Sequence, residues 1–343
     1  MELDSSVIPL RPDVPGRGPT EAGHPATHGA GLTSPELLRL FEAEDAVVAA
    51  AVRGAHDAVL ALGLAMARAV AADGRIVYVG AGTSGRIGAL DAAEWEPTFG
   101  FPRARIAAVV AGGDVALRRA VEGAEDAEDA AEAALAELGL TTADLVVGLS
   151  ASGSAAFVRA ALERSRALGC ARAFVTATAA AVPADPHLIA VVLATGPELL
   201  AGSTRLKAAV ATHLVLQRAS NLCALECGWI HRGLMVEMRP TNRKLRVRAI
   251  DIVRELTGLE PAAAALQLER AGDDIKVAVV GARLALAPES ARRLLADIGR
   301  RLDRIDWTDV DHRGGMDAKH NGARRDERCD DAGADRGHGV GGA

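Results

Sequence analysis

Aromatic side chains make up only 3% of the 343 residues, which leaves little for the base-stacking platforms of single-strand nucleic-acid binders. Positive charge is not in excess either. The formal net charge of −6 and pI near 5.9 argue against a nucleic-acid partner. Cysteine is scarce: Cys170, Cys223, Cys227 and Cys329 are too scattered for a disulfide framework. Cys223 and Cys227 lie four apart in a helical stretch, and no histidine pattern completes a zinc site, so they read as packing cysteines. The nine histidines show no HExxH spacing, and both the GxSxG elbow and the GxxxxGK[ST] loop are missing. No metal and no cofactor are expected. The N-terminus has no apolar signal core, and no apolar run approaches the ~18 residues that span a bilayer. These absences lead to the expectation of a cytoplasmic protein without a membrane partner.

What is present is an alanine- and glycine-rich globular chain, 49% hydrophobic and 24% charged, suited to close helix contacts. Residues 1–32 are rich in Pro, Gly, His and Thr without periodicity and read as a disordered N-terminal arm. Thr33 or Ser34, followed by Pro35 and Glu36, starts the N-terminal helices of 33–72. From Arg75 the pattern changes to short apolar runs at 75–80, 105–112, 144–150, 172–177 and 188–194, with helical segments between most of them. Runs of four to seven Val, Ile, Leu and Ala suit strands buried on both faces of a parallel sheet. The fold class is therefore α/β: a three-layer α/β/α sandwich over 73–240. A long helical pattern runs from Ser203 to about Gly228, and a C-terminal helical region occupies 241–306. The Gly-, Asp- and Arg-rich tail, 307–343, reads as disordered.

Three loops point to an anion. The first strand runs into GAGTSG (80–85) and then a helix, where Gly82 lets the backbone approach a ligand and Thr83 and Ser84 add hydroxyls. The string also fits GxGxxG. The acid that dinucleotide binding needs at the end of the second strand is missing, because that strand ends Ala111-Gly112-Gly113 with Asp114 beyond. The third strand runs into Ser150, Ser152, Gly153 and Ser154. Ser203, Thr204, Arg205 and Lys207 open the long helix. A phosphate plus sugar hydroxyls would use all three loops; helix capping by Ser and Thr is the plainer alternative.

Acids gather in two places. Asp91, Glu94 and Glu96 lie near the end of the first loop's helix, and Glu122, Glu125 and Asp126 lie around a glycine after the second strand. Most such acids are solvated surface. Glu94 stands beside Trp95 and Phe99, and an apolar setting raises a carboxyl pKa toward that of a general acid. Composition alone does not select a reactive pair.

Seven stretches, in order, resemble the N-acetylmuramic acid 6-phosphate etherases, which have a sugar isomerase (SIS) fold. They are TEA (20–22), LLRLFEAED (37–45), YVGAGTSGRIGALDAAEWEPTFG (78–100), AGGDVALRRAVEGAED (111–126), SASG (150–153), GPELLAGSTRLKA (196–208) and LMVEMRPTNRKLRVRAIDIV (234–253). The resemblance implies a carbon–oxygen lyase that cleaves a lactyl ether to give N-acetylglucosamine 6-phosphate and D-lactate in cell-wall recycling. It implies Glu94 as proton donor to the leaving oxygen and Glu125 as base at C2. Gly82, Thr83, Ser84, Ser150, Ser152, Gly153, Ser203, Thr204 and Lys207 would hold the sugar phosphate. A homodimer with site residues from both subunits is also implied. The family usually reads SECPPTFG where this chain has Ala93, Trp95 and Glu96, RTPY at Ser154–Phe157, and YGNLMV across His231, Arg232 and Gly233. Two other readings stay open on the same fold: a non-catalytic sugar-phosphate sensor related to glucokinase regulatory proteins, and an aldose–ketose isomerase.

Overall fold

The five apolar runs form one parallel sheet. The structure, a computed structural model, describes residues 18–27 and 31–307. Strands β1 (Ile76–Gly80), β2 (Ile106–Val110), β3 (Leu145–Leu149), β4 (Ala171–Thr176) and β5 (Leu188–Val192) lie in the order β2-β1-β3-β4-β5. Every residue of β1 and β3 is buried, as expected of central strands in a parallel sheet covered on both faces.

Alternation along the strands divides the core in two. Ile76, Tyr78, Leu145 and Val147 face one layer, which includes Met66 of α2 (His56–Ala71), Trp95 and Phe99 of α3 (Gly82–Phe99), and Leu216 of the long C-terminal helix of the sandwich. Val77, Val79, Val146 and Phe174 face the other layer, with Leu135 of a helix at Glu128–Leu138 and Phe157 of a helix at Ala156–Ala167. The expected sandwich is thus present. In chain order the remaining helices are α1 (Ser34–Gly54), α4 (Gly113–Arg118), α5 (Glu128–Leu138), α6 (Ala156–Ala167) and α7 (Lys207–Glu226). Helix α1 starts as its sequence foretells, with the Thr33 backbone N–H donating to Glu36 at 2.8 Å in a capping box. The alanine and glycine content is used where helices touch: a Cβ on Gly63 of α2 would lie 2.6 Å from the Leu222 Cβ of α7. Cys223 lies in the first core layer; Cys170 and Cys227 are free thiols.

A two-stranded antiparallel hairpin, β6 (Ile230–His231) and β7 (Leu234–Met235), follows α7. The C-terminal region then folds as α8 (Arg243–Thr257), α9 (Pro261–Arg270), α10 (Ile275–Leu284) and α11 (Pro288–Asp297). It belongs to the same compact unit as the sandwich, which runs to Ile305. Lys276 of α10 is fully buried, paired with Glu237 and donating to the Arg300 carbonyl at 2.7 Å.

The N-terminal arm departs from expectation. Residues 18–27 are packed against the domain: Thr20 is fully buried, its carbonyl accepts from the Gly202 N–H at 2.9 Å, and Thr27 Oγ1 donates to the Leu199 carbonyl at 2.8 Å. The segment satisfies backbone groups of a loop about 180 residues away, and sequence periodicity carries no sign of such pairing. Residues 1–17 and 28–30, and the tail from 308 to 343, lie outside the described residues. Among the described residues no single helix is long and apolar enough to cross a membrane.

The close approach of α3 to the sheet gives a test. A Cβ on Gly85 would meet the Gly80 carbonyl oxygen at 2.7 Å and Val110 Cγ1 at 2.8 Å. Gly85→Ala should lower stability by about 1–3 kcal/mol in urea unfolding, despite the ~1 kcal/mol that alanine gains in a helix. An unchanged or raised midpoint would contradict this.

Candidate active site

The strand order reverses between β1 and β3, and the helices that follow them cover opposite faces, so a crevice opens at the carboxyl edge between them. Gly82 opens α3 with φ of +53°, a left-handed conformation that only glycine adopts cheaply. Thr83 and Ser84 follow, half-buried, in the first turn, where backbone N–H groups have no helical partner. Across the crevice, buried Ser150 accepts from the Gly153 N–H through Oγ at 3.1 Å, and Ser152 Oγ lies 2.7 Å from Ser154 Oγ. Gly153 has φ of +73°, and a Cβ there would strike Ala181.

Capping does not explain these hydroxyls. Helices α3, α6 and α7 have Ala81, Ala155 and Leu206 at their N-caps, none with a side-chain capping bond. Helix α6 starts only at Ala156, so the serine loop does not run directly into a helix as expected. Among the described residues, the hydroxyls of Thr83, Ser84, Ser203 and Thr204 make no hydrogen bond.

Lys207 departs from its expected role. It is buried and its ammonium is paired with Glu44 of α1, so in this state it is not directed at an anion. Glu198, which sequence reasoning passed over within GPELL, is fully buried and accepts from the Lys207 and Ala208 N–H groups at 3.0 and 2.9 Å. It closes the start of α7 in place of the neighbouring hydroxyls. The N-terminal segment spans this edge: Gly18 abuts Thr178, whose Oγ1 donates to Ala151 at 3.3 Å, while Glu21 abuts Gly202.

The acids sort differently from expectation. Glu94 is exposed, while the buried Trp95 and Phe99 line the same cavity, so the expected apolar neighbours stand beside it without burying it. The buried acid is Asp91, expected at the surface. It accepts from the Tyr78 hydroxyl at 2.6 Å and from Trp95 Nε1 at 2.9 Å. Burial pushes its carboxyl above the ordinary 3.8, against the opposing effects of those two donors and of His213. Glu94 lines a cavity of about 530 Å³ between α3 and α7, with Asp91, Thr98, His213, Gln217 and Asn221. His213 was missed; its only sequence signal is a polar line with Gln217 and Ser220 at i, i+4 and i+7.

Glu125 is exposed in a turn at Ala124–Asp126, and Ala124 joins the core layer of α6, on the face opposite α3. Glu94 lies twelve residues into α3, about 18 Å from the crevice at 1.5 Å per residue. The cavity that Glu94 lines does not include Glu125.

The sequence model of the glucokinase regulatory protein N-terminal SIS domain matches residues 61–166. The N-acetylmuramic acid 6-phosphate etherase of Cronobacter sakazakii is 41% identical over 265 residues, covering 77% of this chain and 89% of that one. That of Gloeobacter violaceus is 45% identical over 249 residues, 73% and 81% of the two chains, and that of Serratia proteamaculans is 39% identical over 277 residues, 80% and 93%. The chain belongs to the N-acetylmuramic acid 6-phosphate etherase family. A solved phosphoheptose isomerase from Francisella tularensis overlays 56% of the chain and 98% of its own at 18% identity and a TM-score of 0.41.

In this etherase-family chain the stretch 78–100 spans the end of β1, the glycine turn and all of α3. Crevice hydroxyls and Glu94 therefore ride on one rigid helix whose rotation Asp91 fixes. Because the folded Asp91 holds its proton more tightly than the unfolded chain does, the native state binds more protons just above pH 3.8, and ionising this acid costs stability as pH rises through that window. Asp91→Asn removes that dependence. Urea unfolding at a series of pH values should show the variant gaining on the wild type as pH rises from about 3.8, with no further change once Asp91 is ionised. A difference independent of pH would count against a raised Asp91.

Proposed function

We propose that this protein cleaves the lactyl ether of N-acetylmuramic acid 6-phosphate, the reaction that names its relatives. The observation that carries the reading is the 41% identity over 265 residues to an etherase of that name, in a chain with glutamates at positions 94 and 125 and with the Thr83, Ser84, Ser203 and Thr204 hydroxyls left free. The sugar reacts in its ring-opened form, where the C1 aldehyde acidifies the C2 proton. Glu125 takes that proton, the C2–C3 double bond forms, and the C3–O bond breaks as Glu94 protonates the departing lactyl oxygen. Glu94, now a carboxylate, draws a proton from water as the oxygen adds to C3, and C2 regains a proton from Glu125. The sum is substrate plus water giving N-acetylglucosamine 6-phosphate and D-lactate. Thr83, Ser84, Ser150, Ser152, Ser203 and Thr204 hold the phosphate and hydroxyls, with the free N–H groups of α3 toward the phosphate. Cytoplasmic reuse of cell-wall amino sugars is the setting this reading implies.

The site is shared between two copies of the chain in a homodimer. Glu125 and the hydroxyl loops belong to the carboxyl edge of one protomer, and Glu94 reaches them from its partner. The separation of the glutamates within one chain supports this, as do the exposed Val210 and Leu225 on α7 and Leu60 on α2. A sugar-phosphate sensor remains the second reading, favoured by the match to the glucokinase regulatory domain over 61–166.

The test is D-lactate release from N-acetylmuramic acid 6-phosphate. Wild-type protein should release it, and Glu94→Gln and Glu125→Gln should each lower kcat by about 100-fold or more. Co-expressing the two variants should restore about a quarter of the wild-type activity, because half the dimers are mixed and each mixed dimer keeps one intact site. Absence of lactate from folded wild type sinks the etherase reading; absence of restoration sinks the shared site.

A further inference from the structure

The cavity lined by Glu94 holds a second group that the proposed chemistry leaves without a task. His213 on α7 faces the same space, together with Gln217, Ser220 and Asn221. Its Nδ1 is buried without a hydrogen-bond partner, so the ring turns its other edge outward, with Nε2 3.0 Å from the exposed Gln217 amide nitrogen. Asp91 lies close enough behind the ring for His213 to act on that acid electrostatically. Among the described residues lining the cavity, His213 is the one able to carry positive charge. An imidazole with a buried carboxyl nearby, its Nε2 edge meeting only the exposed Gln217 amide, suits an anionic oxygen ligand that displaces that amide.

The geometry of the reacting group says which anion. In the proposed substrate the lactyl carboxylate stands two bonds from the ether oxygen that Glu94 protonates. An acid that reaches this oxygen must sit beside whatever holds the carboxylate. Without a counter-charge, the Asp91 carboxylate would repel it; Glu94 carries the proton it is to donate. We propose, resting on the etherase reading, that His213 binds the lactyl carboxylate through Nε2–H and so selects 3-O-lactyl sugars over other hexosamine phosphates. Gln217, whose amide can turn, supplies a neutral donor beside it.

Calorimetric binding to full-length protein carrying Glu125→Gln, in which turnover is slowed by about 100-fold or more, tests this. The ligands are N-acetylmuramic acid 6-phosphate, its lactyl primary amide, and N-acetylglucosamine 6-phosphate. The acid should bind about 10- to 100-fold tighter than the amide, as expected for a hydrogen bond to a charged group. Adding His213→Gln should reduce that preference to within about twofold, and His213→Lys should recover it, because a cation is again present. Affinity for N-acetylglucosamine 6-phosphate should not change in either variant. A preference for the acid that survives His213→Gln, or that is missing while His213 is present, overturns the inference. Lactate release by the wild type judges the etherase reading separately: His213-dependent discrimination in a protein that releases no lactate would keep the carboxylate site and remove the reaction.

Discussion

The buried carboxylate of Asp91 sets the phase of helix α3, and both halves of the site depend on that phase. By accepting from Tyr78 on β1 and from Trp95 one turn on, Asp91 locks one side of the helix against the sheet. Glu94 directly precedes Trp95, about 100° round the helix, and is thereby turned out toward α7. Few aromatic residues exist in this chain, yet Trp95, Phe99, Phe101 and Trp229 gather under that end of α3, with ring centroids 5.2 to 6.2 Å apart. At the other end, Gly80 and Gly85 allow helix and strand to meet through backbone atoms. The helix is held firmly at both ends, which suits a rod that carries crevice hydroxyls at one end and an acid farther along.

At the start of α7 another residue relieves the loop hydroxyls of a structural duty. Glu198 closes the first turn of α7, so Ser203 and Thr204 need not. The serine loop is different: Thr176 and Thr178 donate to the Ala151 carbonyl at 3.2 and 3.3 Å, and the Ser150 and Ser152 hydroxyls themselves accept from the Gly153 and Ser154 N–H groups. The N-terminal segment touches both Thr178, which donates to the serine loop at Ala151, and the Gly202 loop. The Glu198 arrangement thus leaves the Ser203 and Thr204 hydroxyls free.

Much of the fold was legible in the sequence. Strands of uninterrupted Val, Ile and Leu must be covered on both sides, and the helical segments between them fix a parallel sheet. Thr33 with Glu36 fixed a helix start through purely local bonds. Less of the site could be read. The glycine and hydroxyl loops stood out because backbone conformation and residue type at a strand end are local properties. Asp91 was indistinguishable from its acidic neighbours because its partner Tyr78 lies on a strand, and no local pattern shows which face of α3 meets that strand. Lys207 looked free because Glu44, which claims its ammonium, lies 163 residues away.

The sequence by itself determined the order of elements, the carboxyl-edge loops and, through seven matched stretches, the family. Those follow from local propensity and from residue identity. Tertiary structure alone decided which acid is buried and which exposed, that residues 18–27 are part of the domain, and that Glu94 and Glu125 belong to opposite faces of the sheet. The physical reason is that burial and pairing are made by residues distant along the chain, and no local pattern records which of them meet.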